Sequence, residues 1–390
     1  MGQLRERDGE TARSARGARR ARRPPLASLS SGGRIGERTT RRHPAEWEKQ
    51  ASVWLSWPHN EKEWGKKRLP KIKEFYVKLI KIILQFQDVN LILADEELLG
   101  DVKTLRATPL RKIIIPNNDI WIRDYGPFFI ERKGVIARKH EVLTKQSPDV
   151  TRNEIASVAA LPRNDVLIVD FEFNAWGDKF PPWDLDNNVP KQIALYKGCE
   201  IESYPIILEG GAVEFSGNGL LMTTEQCLLN KNRNKNIKKD QFEKILKSAF
   251  NVQDVIWLKS GLHGDHTDGH TDNVARFISE KKILLCTTKN KKDKNYETLQ
   301  ENLKCLKKQK LELVEIPLPE EYDVASYANF IFVNGGIIVP TFNCDADEIA
   351  LDIFKKLFPK RKIIGIDCFL LVQEGGGLHC MTKQEPLCFS

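Results

Sequence analysis

Cys380 closes the run Glu374-Gly375-Gly376-Gly377-Leu378-His379-Cys380. Consecutive glycines let a backbone take conformations closed to other residues and let a ligand approach closely. A thiol placed just after such a loop can be a partly exposed nucleophile, although the same run also fits a plain turn leading to a buried cysteine. A second stretch, residues 261–273, is dense in ligand-type side chains: His263, His266 and His270 alternate with Asp265, Asp268 and Asp272. Four of these could hold a metal ion, which makes a metal-binding hydrolase built on the cluster between His263 and Asp272 one reading. Three glycines and two threonines argue against a helical display. Taken as the lead into a strand over residues 274–278, His270 and Asp272 project from one face, about 7 Å apart at roughly 3.3 Å per residue. That places an acid/base beside a carboxylate, with His263 and His266 left as solvated loop residues. Trp121 and Asp124 form a third group, a flat π face followed by an acid. Glu209, between an apolar strand over residues 205–208 and Gly210-Gly211, is a fourth, with a solvated turn acid as its ordinary reading.

Together these residues suit one kind of substrate. A planar guanidinium is gripped by carboxylates that match its N–H fork and by rings that stack on it. A thiol with a nearby imidazole is what attack on its central carbon requires. Charge delocalised over three nitrogens makes that carbon a poor electrophile, so fixing it beside the sulfur supplies much of the catalysis.

Such side chains need a scaffold that brings distant segments together. Short apolar, β-rich runs recur at residues 52–57, 89–94, 112–116, 127–130, 165–169, 255–258, 274–278, 283–287, 311–316 and 362–366. Helical periodicity falls between several of them. Residues 70–86 carry Ile72, Phe75, Tyr76, Leu79, Ile80 and Ile83 at three- and four-residue spacing, and residues 239–250, 295–308 and 347–358 are similar. Gly-containing turns at residues 216–219 and 334–336 predict hairpins joining 212–215 to 220–224 and 330–333 to 337–341. The pattern is mixed α/β in one domain, compatible with a supersecondary repeat near 60 residues.

The motifs in order resemble the agmatine deiminase family, the branch of guanidine-modifying enzymes that includes bacterial-type peptidylarginine deiminases. The resemblance runs from Pro44-Ala45-Glu46-Trp47 to about Pro386. It is carried by Trp54-Leu55-Ser56-Trp57-Pro58, Trp121-Ile122-Arg123-Asp124-Tyr125-Gly126-Pro127, Asn174-Ala175-Trp176-Gly177 and Leu208-Glu209-Gly210-Gly211. Further on stand Thr224-Glu225-Gln226-Cys227-Leu228-Leu229-Asn230, Asp268-Gly269-His270-Thr271-Asp272-Asn273, Ser326-Tyr327-Ala328-Asn329 and Gly375-Gly376-Gly377-Leu378-His379-Cys380. The resemblance implies a pentein α/β propeller, five pseudo-repeated ββαβ units around a central funnel. It implies Cys380 as nucleophile, His270 as general acid/base, Asp124 and Asp272 as guanidinium-holding carboxylates, and Glu209 as the acid that orients His270. The implied substrate is agmatine, hydrolysed without metal or other cofactor to N-carbamoylputrescine and ammonia, a step in putrescine and polyamine biosynthesis. Peptidyl or free arginine on the same scaffold is the alternative. Asp178, His266 and Lys383 depart from the family's usual Gly, acid and Gln.

Composition narrows the partners. The formal net charge is +8, yet residues 1–43 hold twelve arginines and four acids, and the rest of the chain balances 49 bases with 49 acids. A neutral body gives no basic face for nucleic acid, and no apolar run approaches the roughly 18 residues of a membrane span. The Arg-rich residues 1–43 read as a disordered extension, inert or a targeting segment, ahead of a catalytic domain over 44–390. Eight cysteines without CxxC pairs suggest reduced thiols in the cytoplasm. The expected partner is a small-molecule substrate, with a homodimer left open.

Overall fold

The computed structural model describes residues 40–105, 109–133, 163–319 and 322–387. The expected extension over residues 1–43 lies outside the described residues except for its last four, and Cys388 lies outside as well. Thr40–Arg42 is a short strand antiparallel to Phe128–Lys133, so the folded body begins before residue 44.

The described residues form five separate sheets with one recurring plan. Two strands run antiparallel, and a helix then returns the chain to a third strand parallel to the second. In one sheet the strands are Val213–Phe215, Leu220–Thr224 and Asp254–Leu258, with helix Lys239–Phe250 as the crossover. Ala275–Ser279, Lys282–Thr287 and Glu312–Pro317 repeat the plan with helix Tyr296–Leu306. Ile331–Val333, Gly336–Thr341 and Lys362–Asp367 do so with helix Ala346–Leu357. In a fourth sheet Phe128–Lys133, Arg163–Glu172 and Cys199–Ile207 flank helix Val189–Lys197. The fifth takes its first strand from the far end of the chain: Lys383–Pro386 pairs antiparallel with Gln50–Ser56, which runs parallel to Asp88–Leu93 beyond helix Glu61–Ile83.

Four of these helices stand where the periodicity predicts because each buries one stripe, whereas Val189–Lys197 is not among those expected. In Lys239–Phe250 the buried residues are Phe242, Leu246, Ala249 and Phe250, the i, i+4, i+7, i+8 face. The helix expected from residue 70 starts earlier, at Glu61, where Asn60 accepts from the Lys62 N–H. Gly65, at φ 68°, links the two helical segments. Both predicted hairpins form. Of Cys199–Ile207 only the apolar end from residue 205 is expected as strand, because the residues before it are half-buried or exposed and carry two glutamates. No helix among the described residues is long and apolar enough to cross a membrane.

Candidate active site

Cys380 lies on the short turn His379–Met381, three residues before the strand that pairs with Gln50–Ser56. The glycine loop ahead of it is packed, not merely flexible. A Cβ on Gly376 would sit 2.2 Å from Trp121 Cη2, and one on Gly377 would sit 2.2 Å from Asn329 Oδ1. Gly375 adds a φ of +78° and lies against the His266 ring. The loop therefore presses Cys380 down to 5% exposure. There its Sγ accepts from Asn329 Nδ2 at 3.4 Å and stands 3.8 Å from Asp272 Oδ2. Burial, then Asp272 and Asp124, push the thiol well above its ordinary range, so the resting sulfur is protonated at neutral pH.

Asp124, His270 and Asp272 converge on Gly211. A Cβ on Gly211 would lie 2.6 Å from His270 Nδ1, 2.9 Å from Asp124 Oδ1 and 3.0 Å from Asp272 Oδ2, so no side chain fits there. Asp124, on the turn Ile122–Tyr125, accepts from the Gly211 N–H at 2.8 Å and from Trp176 Nε1 at 2.9 Å. His270 Nδ1 is 3.7 Å from Asp124 Oδ1. The strand-face geometry expected for His270 and Asp272 is not what joins them. Thr271–Asn273 is a 3₁₀ turn and the strand starts only at Ala275, because the Thr271 and Thr224 hydroxyls bond to Ala212 O and Gly269 O and pin this corner. Burial alone would lower the His270 pKa, yet Asp124, the Cys227 thiol and Asp272 raise it well above its ordinary value. Asp272 is held low despite burial, by the His379 hydrogen bond and by His270 and Arg276. Its Oδ1 is buried and carries no hydrogen bond.

A cleft of about 460 Å³, counted with its open mouth, leads to Cys380. Trp121 and Trp176 line it with Phe180, and its acids are Glu63, Asp119, Asp124 and Glu374. Among the described lining residues there is no lysine or arginine. Burial, with Glu63 nearby, raises Asp119 to about 7.

Residues 42–386 match the model of the Porphyromonas-type peptidyl-arginine deiminase family. The chain belongs to that family. It is 30% identical to the agmatine deiminase of Pseudomonas syringae pv. tomato, covering 89% of this chain and 95% of the relative. A Campylobacter jejuni agmatine deiminase, solved as a Cys-to-Ser variant with substrate bound, superposes with a TM-score of 0.77 at 33% identity, over 89% of this chain and 96% of that one. The Enterococcus faecalis agmatine deiminase gives 0.76 at 27% identity, with the same coverage.

Within this deiminase-family site several sequence expectations change. Glu209 is no solvated turn acid. It is fully buried, and Arg233 Nε donates to its Oε1 at 2.7 Å while Oε2 carries no hydrogen bond. The cluster from His263 to Asp272 does not gather as a metal centre: His263 and His266 are exposed, and only His270 joins a grouping of metal-type donors, with Glu209 and Cys227. His266 does line the cleft. Trp121, expected as a π face, is at the cleft wall at 7% exposure.

Three residues were not singled out by sequence reasoning. Asn329 donates to Cys380 Sγ. Cys227 packs against His270 and Glu209. His379 bridges Asp272 Oδ2 at 2.8 Å and Glu46 Oε2 at 2.9 Å. From Glu46 the chain of contacts continues to Arg276 Nη2 at 2.5 Å, and Arg276 also pairs with Glu214. Position in quoted motifs was the only signal available for these residues. Backbone around Trp176 is also special: Ala175, Trp176 and Asp178 all have φ between 47° and 61°, which turns the indole onto Asp124 and explains why glycine suits position 178.

Proposed function

We propose that the chain hydrolyses agmatine to N-carbamoylputrescine and ammonia through a covalent amidino-cysteine. The observation that carries this is the approach of the buried Asp272 carboxylate to the Cys380 sulfur, Oδ2 at 3.8 Å and Oδ1 without a partner, with Cys380 lining an acidic, aromatic cleft. Asp124 and Asp272 hold the guanidinium, with Trp121 as a wall. The arriving cation offsets the anions that hold the thiol protonated, and the thiol proton leaves to solvent. Cys380 thiolate attacks the guanidinium carbon. His270, kept as an imidazolium by Asp124, donates a proton to the departing nitrogen, which leaves as ammonia. The now neutral His270 takes a proton from water. The hydroxide adds to the amidino carbon, and the thiolate is expelled as the adduct's hydroxyl proton passes to solvent, which leaves the ureido product. Glu209 orients His270 from a buried position. Every step is carried by side chains and invokes no cofactor.

The lining favours agmatine over arginine. A substrate carboxylate calls for a cation, whereas the described cleft offers carboxylates suited to a dication. We read the five repeated sheets as a pentein propeller around a central funnel and place the enzyme in the cytoplasm. The test is ammonia release from agmatine, arginine and an arginyl peptide. Agmatine is expected to be used far better. Preference for arginine or the peptide, or unchanged turnover in Cys380→Ala, would overturn the reading.

A further inference from the structure

Three metal-type donors meet at His270. A Glu209 carboxylate oxygen, Cys227 Sγ and a ring nitrogen of His270 lie within 4.8 Å of one another, and all three side chains are fully buried. Glu209 Oε2 and both ring nitrogens of His270 carry no hydrogen bond. Cys227 Sγ makes a long contact, 3.8 Å, to Thr267 O and lies against His270. Leaving a buried acceptor bare costs roughly 1–3 kcal/mol. An ion bound there would satisfy both bare groups at once.

We propose that Glu209, Cys227 and His270 form an inhibitory site for a thiophilic divalent cation of the zinc type. One sulfur, one imidazole nitrogen and one carboxylate oxygen make a borderline-soft set. It suits tetrahedral zinc at bond lengths of roughly 2.0–2.3 Å and does not suit calcium or magnesium, which take oxygen. Donors on such an ion stand roughly 3.4 Å apart, so the trio closes on it with a movement on the order of an ångström. Binding exchanges the Cys227 thiol proton for the metal–sulfur bond and one His270 imidazolium proton for the metal–nitrogen bond, and both protons are released to solvent. Arg233, on the other oxygen of Glu209, opposes the incoming charge, so the ion is exchangeable rather than resident. The bound ion takes the lone pair that His270 uses in proton transfer. The inhibitory part therefore rests on the acid/base reading above; the binding site does not.

Cobalt(II) reports the site without turnover, through thiolate-to-metal charge-transfer absorption. Full-length Cys380→Ala protein is expected to bind one cobalt ion with this absorption and to lose it when zinc is added. Cys227→Ala protein is expected to lack the absorption and to bind zinc at least tenfold more weakly, and Glu209→Gln to weaken binding tenfold to a hundredfold. Cys227→Ser, close in volume, serves if the alanine variant does not fold. Absorption that survives in Cys227→Ala, or vanishes in Cys380→Ala, overturns the site. In the wild-type chain, zinc should inhibit agmatine turnover with slow onset at the concentration that half-displaces cobalt. Stoichiometric zinc at Cys227 with undiminished turnover overturns the inhibitory role and counts against His270 as the proton carrier.

Discussion

Two buried polar regions meet at Asp272, and they are built differently. Around His270, Asp272 Oδ1, both ring nitrogens and Glu209 Oε2 are buried without hydrogen bonds. Behind it, Asp272 Oδ2, His379, Glu46 and Arg276 close a lattice in which each group is gripped by the next, and Arg276 also donates to the carbonyls of Ala328 and Phe330. One carboxylate thus has a held oxygen and a free one. The held oxygen fixes its direction, and the guanidinium of the proposed reaction would satisfy the free one. Bare buried groups cost stability, and the paired lattice behind them keeps that cost from relaxing the geometry.

The comparison is broken hardest at the cleft. Cys380→Ala should lower agmatine turnover by about 10⁴-fold or more while leaving the melting midpoint within a degree or two, measured by ammonia release and thermal unfolding. The lattice should answer in the opposite way. Glu46→Ala leaves Arg276 with Glu214 as its one remaining acid partner named above and frees His379 Nε2, so the unfolding free energy should fall by about 3 kcal/mol in denaturant titration. Asp119 sharpens the cleft side. With its pKa at about 7, it gains charge as pH rises through neutrality, so the apparent KM for agmatine should fall by about tenfold from pH 6 to pH 8. Asp119→Asn should flatten that dependence. The smallest effect is at Lys383, buried over the Phe128 ring with its pKa held well below the usual lysine value by burial and by Arg123. Because the unfolded chain binds this proton more readily, the lysine costs stability below its unfolded pKa of about 10.4. Lys383→Gln should therefore raise the unfolding free energy by on the order of 1 kcal/mol at pH 7. The gain should shrink as pH approaches 10.

Much of the scaffold was legible because apolar runs and helical stripes report burial directly. Lys239–Phe250 shows its buried face in its spacing, and the strands Lys282–Thr287 and Asp254–Leu258 are nearly continuous apolar runs. The cysteine after three glycines and the aspartates near tryptophans could be named as reactive types. Partnership could not. That His379 spans Asp272 and Glu46 depends on a contact across 333 residues, and nothing local to either residue announces it. The extended reading of residues 270–272 failed because the hydroxyls of Thr224, at the end of the strand Leu220–Thr224, and of Thr271 decide the backbone there. Glu209 looked like a turn acid because its counterion, Arg233, lies 24 residues on.

The pairing of Lys383–Pro386 with Gln50–Ser56 sets a timetable for the enzyme. The strand that seats the sulfur is joined to its partner across 333 residues, as the Ser52–Glu385 hydrogen bond shows, whereas the hairpin of Val213–Phe215 with Leu220–Thr224 closes locally. Closing the longer loop carries the larger entropic cost, so a folding chain zips its hairpins first and brings Cys380 home late.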